Sequence, residues 1–128
     1  MQLPVALDLL LKSARWSPPA DEEIFLRVFG ELPDEPQFFE SQDLLRQNEL
    51  WQGLDESDVF GESIEGVSLG VDLRRSIIIG VLGTDMPIVL DYRESGASPR
   101  VLYLLNHGGP VWVQAAADVE EFIRLLYE

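Results

Sequence analysis

A chain of 128 residues with 46% hydrophobic and 25% charged side chains has the composition of a globular protein and the length of one domain, here 1–128. It has no cysteine, which excludes a disulfide framework and a thiolate metal site. Its formal net charge of -14 argues against nucleic acid and anionic membrane surfaces as partners, since both are held by Lys and Arg.

The charge is uneven. Residues 1–66 carry 15 acidic and 4 basic side chains, whereas residues 67–128 carry 8 and 5. Such acidity either keeps a protein soluble or attracts a partner with a basic face, and charge alone does not choose. The N-terminal stretch Met1–Leu11 lacks a basic segment and is interrupted by Asp8, so it reads poorly as a signal peptide. No run approaches the ~20 apolar residues of a membrane span. A cytoplasmic protein is expected.

Leu3, Leu7, Leu10 and Leu11 recur at helical spacing and predict a first helix ending near Arg15. Ser17-Pro18-Pro19 is a break and a start signal, with Ser17 as a possible cap. Asp21, Glu22 and Glu23 then favour a helix N-terminus, Ile24, Phe25, Val28 and Phe29 give the apolar face, and Gly30 ends it. Leu32–Pro36 is a turn, and Gln37-Phe38-Phe39 suits a short strand. Ser41 is a second candidate cap, starting a helix to about Trp51. Residues 52–66 are the most acidic and least periodic stretch and read as a surface loop.

Beyond Gly66 the period becomes that of strands, with candidates at 67–71, 76–82, 87–92, 100–105 and 110–114. Their short links favour antiparallel hairpins. The apolar runs at 77–79 and 88–90 lack alternation, so parts of both sheet faces are covered. Asp118 and Glu121 form a D-x-x-E capping box, followed by the stripe Val119, Phe122, Ile123 and Leu126. The expected fold is α+β: an antiparallel or mixed sheet of about five to six strands, with N-terminal helices and a C-terminal amphipathic helix packed on it.

No residue set carries catalysis. Gly66-Val67-Ser68-Leu69-Gly70 matches the serine-hydrolase string, and Asp72, Asp85 or Asp91 and then His107 follow in triad order. A nucleophile elbow, however, needs a strand, a strained turn and a helix, and here Ser68 leads into another strand. His107, the only histidine, lies between Asn106 and two glycines and reads as a turn residue. With one histidine and no cysteine, no transition-metal site is expected. The EF-hand spacing from Asp55 fails at Val59 and Phe60. No phosphate-binding glycine pattern is present, so no cofactor is expected. Trp112 sits in a strand and suits packing. Trp51, beside the acidic loop, is either a packing residue or the kind of aromatic anchor that interfaces use.

Several segments together resemble the SUKH superfamily: Phe39–Asn48, Ile79-Gly80, Pro87–Tyr92 with its Val-Leu-Asp-Tyr string, Pro99-Arg100-Val101, Trp112, and Asp118–Leu126. The likeness covers most of 38–128 and is strongest over 76–128. It departs in lacking an Asn-Gly pair after Phe39, and in having Val119 where the family more often has an aromatic. The resemblance implies a non-enzymatic binding module, many of whose bacterial relatives are immunity proteins that neutralise a cognate secreted toxin by contact. Many such toxins are nucleases with basic faces. The partner surface would be Asp55, Glu56, Asp58, Glu62 and Glu65, with Trp51 as anchor. The alternative is a regulatory adaptor of the same fold with no toxin partner.

Overall fold

The segment Pro87–Asp91 sets the architecture, because all five of its residues are buried. A strand buried on both faces must be central and covered twice. The computed structural model, which describes residues 1–106 and 109–128, shows how this is done. Its elements in chain order are α1 (Val5–Lys12), α2 (Glu22–Phe29), β1 (Gln37–Phe38), α3 (Ser41–Gln52), β2 (Ser76–Val81), β3 (Pro87–Asp91), β4 (Arg100–Leu105), β5 (Val111–Ala116) and α4 (Val119–Tyr127). Two 3-10 turns, Glu56–Val59 and Leu73–Arg75, lie between α3 and β2.

The five strands form an antiparallel meander in the order β1-β2-β3-β4-β5, so the fold is α+β with no parallel pairing among the described strands. On one face Ile88 and Leu90 of β3 join Phe25 and Phe29 of α2 and Phe122 and Leu126 of α4. On the other face Val89 meets Trp51, Leu102 and Trp112. Helix α4 forms as its sequence requires: Asp118 accepts a hydrogen bond from the Glu121 N–H at 2.8 Å, and Val119, Phe122 and Leu126 are buried. No described helix is long and apolar enough to cross a membrane.

Three local expectations are corrected. Helix α2 is capped by Asp21, whose carboxylate accepts from the Glu23 N–H at 3.0 Å, and not by Ser17. The proline following Pro18 disfavours helical backbone there, which delays the start. Glu40, not Ser41, occupies the cap position of α3. The expected strand at 67–71 does not form. Ser68 makes one isolated bridge to Ile64, and Gly66 and Gly70 sit at φ of 75° and 66°, which ends any extended run. Gly70 has a second constraint, since a Cβ there would lie 2.5 Å from the Gly61 carbonyl oxygen.

The outer edge of β2 is completed in an unusual way. Strand β1 pairs only with Gly80 and Val81. Below it, the Asn48 carboxamide accepts from the Ile78 N–H at 2.8 Å and donates to the Ile78 carbonyl at 2.9 Å. One turn on, Gln52 donates to the Ser76 carbonyl at 3.0 Å. Two residues four apart on a helix thus stand in for a neighbouring strand.

Candidate partner-binding surface

The register gives the molecule two distinct ends. Val81 pairs with Pro87, so the β2–β3 turn at 82–86 lies at one end, and Ser76 pairs with Asp91 at the other. The second end gathers arginines. Asp91, 1% exposed, accepts from Arg93 Nε at 2.8 Å and Arg100 Nε at 2.7 Å. Arg75 donates to the carbonyls of Tyr92 and Arg93. Burial pushes the Asp91 carboxyl up, but the bonds from Arg93 and Arg100 outweigh it and hold the group below the usual carboxylate range.

The end carrying the 82–86 turn is acidic. The Asp34 N–H donates to the Leu82 carbonyl at 2.9 Å, which brings the Leu32–Pro36 turn against this hairpin. Two adjoining hollows result. One, about 340 Å³, is lined by Asp34, Glu35, Gln37, Gln47 and Asp85 among others. The other, about 400 Å³ and mainly apolar, has Trp51, Leu54, Val59, Phe60 and Leu104 in its walls, together with Asp58 and Asp85. Val81 and Asp85 line both. Among the described residues, no Lys, Arg or His lines either hollow. Four carboxylates from three chain segments therefore share one concave surface with no cation among its described lining residues.

Of the residues selected from the sequence, only Asp58 lies on this surface as a charged group. Glu56 on the same 3-10 turn and Asp55 at its cap neighbour it and are exposed, the Asp55 carboxylate accepting from Ser57 N–H and Oγ at 3.1 Å each. Glu65 lines a different hollow, beside Ser68 and Gln114, and Glu62, exposed, lines neither half of the acidic surface. The loop's carboxylates are thus divided between two places.

Trp51 is 3% exposed and cannot serve as a surface anchor. Its indole N–H donates to Ser76 Oγ at 2.9 Å, and its ring meets Trp112 edge-on at a centroid distance of 6.2 Å. Ser76 Oγ in turn donates to the Asp72 carbonyl at 2.8 Å, so the indole seals a buried chain of polar groups. The exposed aromatic of this region is Phe60, 51% exposed and two residues from Asp58. Nothing in the sequence marks Asp34, Glu35, Phe60 and Asp85 as a common surface, because three separate segments meet here only after the sheet forms.

Ser68 is buried, and its Oγ accepts from the N–H groups of Trp112 at 2.9 Å and Gly70 at 3.2 Å. It links the 61–70 segment to the edge of β5. Asp72 caps the Leu73–Arg75 turn through the Arg74 N–H, and Asp91 is held by its arginines. His107 lies outside the described residues. Among the described residues no group of three or more His, Asp or Glu could hold a metal ion. In comparisons with protein-family models, curated proteins and solved structures, the chain matches none.

Proposed function

We propose that this protein is a non-enzymatic binding module of the SUKH type that acts as an immunity protein, neutralising a cognate toxin by covering its basic face. The supporting observation is the concave surface bearing Asp34, Glu35, Asp58 and Asp85 with no cation in its described lining. An acidic concavity speeds the approach of a basic protein and disfavours acidic competitors. Phe60 adds exposed aromatic area at its edge, the feature that interface hot spots favour. The partner is a protein and not nucleic acid, since phosphates would be repelled.

Co-expression with the product of the neighbouring gene tests this. The protein is expected to co-purify with that product and to rescue growth of cells producing it. Charge reversal by Asp58→Lys with Asp85→Lys is expected to abolish rescue while leaving the far-UV spectrum nearly unchanged, because both residues are exposed, and to lower the melting temperature only modestly through the left-handed backbone at position 85. Phe60→Ala is expected to weaken binding by about 1–2 kcal/mol. Absence of a complex, together with a broad set of unrelated partners, would favour the adaptor role. Rescue by the double-lysine variant would reject this surface.

A further inference from the structure

We infer that the mainly apolar hollow beside Asp58 and Asp85 seats a single arginine side chain of the bound protein. This rests on the immunity-type reading and deepens it by naming what enters the surface. The hollow is small for a ligand site, about 400 Å³. Trp51, Leu54, Val59, Phe60, Met86 and Leu104 give it apolar walls, while two carboxylates from separate segments supply its charge.

The occupant must satisfy both parts. A purely apolar group would strip water from Asp58 and Asp85 and leave them without partners. An anion would be repelled. A compact inorganic cation would leave the apolar walls unused. A long basic side chain meets every demand, because its methylene stem covers apolar surface while its head stays polar. Arginine fits better than lysine. Its five donors fan out in a plane that can reach two carboxylates on different segments, its charge is more weakly hydrated, and its face stacks on an aromatic ring such as Phe60.

The test uses the isolated full chain, labelled with nitrogen-15, and N-acetyl-arginine amide as probe, with the lysine and norleucine amides as comparisons. Arginine amide is expected to bind in the millimolar range. Shifts should concentrate at the Trp51 indole N–H and the amides of Phe60, Asp85 and Met86. Asp58→Asn with Asp85→Asn should weaken this at least about fivefold, since charge-assisted bonds are lost. Asparagine also tolerates the left-handed backbone of Asp85, at φ of 58°. Lysine amide should bind more weakly and norleucine amide should cause no such shifts.

Equal responses to arginine and norleucine amides would overturn the inference, as would unchanged affinity in the double variant. Shifts confined to Asp34-Glu35 or to 62–66, or no response at all, would also overturn it. Lysine binding as tight as arginine binding would overturn the choice of arginine. The probe requires no partner, so the two readings fail separately. A toxin complex that forms without any arginine-amide response removes the pocket alone, whereas an arginine response without a toxin complex removes the immunity role alone.

Discussion

Asp91 illustrates how a buried charge is tolerated. Its carboxylate has arginine donors on both sides, Arg93 and Arg100, and Arg93 also reaches the Gly70 carbonyl at 3.1 Å. One acid therefore ties the end of β3 to β4 and to the 61–70 segment. Asp91→Ala would leave two partly buried guanidiniums facing each other and is expected to cost about 3 kcal/mol, read from a urea midpoint. The pH dependence follows from the lowered pKa. Stability from Asp91 is complete above the ordinary carboxylate value of about 4 and is lost as pH falls below it toward the depressed native value.

The tyrosines act at the other extreme. Burial pushes the Tyr92 phenol up to about 12, and its hydroxyl donates to the Gln2 carbonyl at 2.6 Å. Tyr127 is also shifted up to about 12, chiefly by burial, with the bond its oxygen accepts from the Ser17 N–H at 3.3 Å acting the other way, although the residue is 37% exposed. Tyr103 is raised by burial and by the nearby Glu31. Because the native values lie above the unfolded value of about 10, this stability is present below pH 10 and lost as pH climbs toward 12. Tyrosinate absorbance should stay low at pH 10 and rise together with unfolding. A normal tyrosine titration near pH 10 in the folded protein would contradict these placements.

Among the elements, α3 has the least expected docking mode. Besides burying Trp51 it packs through polar side chains, with Asn48 and Gln52 completing the edge of β2, while Leu45 and Leu50 remain exposed. Asn48→Ala would leave both the N–H and the carbonyl of Ile78 without their partner and is expected to cost roughly 2–3 kcal/mol by urea denaturation. Gly70→Ala should destabilise by at least about 1–2 kcal/mol, since it combines a left-handed backbone with a blocked approach to Gly61. A neutral effect would mean that the 61–70 segment is looser than described. The legible elements were those encoded locally. Helix α4 carries its own cap and stripe, and the meander is marked by apolar runs and short turns. The inner face of α3 mixes Leu44 and Trp51 with Asn48 and Gln52, so it gives little apolar periodicity, and the glycines that interrupt 67–71 read as ordinary strand punctuation. Trp51 beside an acidic loop looks like an exposed anchor until Ser76 and Trp112 arrive from distant parts of the chain.

At the scale of the molecule, the antiparallel register separates charge. Arg75, Arg93 and Arg100 are committed to backbone carbonyls and Asp91 at one end, and Asp34, Glu35, Asp58 and Asp85 gather at the other. The excess acidity of the N-terminal half was legible in the sequence. The place where it converges was not, since Asp85 belongs to the less acidic half and Glu65 turns elsewhere. Such polarity gives a long-range field that is screened by salt over a Debye length of about 8–10 Å at physiological strength. The decisive measurement is the association rate constant with the proposed partner, the co-purified neighbouring gene product, across ionic strength, for the native protein and for Asp58→Lys with Asp85→Lys. The native rate should fall steeply as salt rises, and the variant should be at least about tenfold slower at low salt with a much flatter dependence. Equal rates and parallel salt dependences for the two proteins would contradict the claim that this acidic end receives the partner.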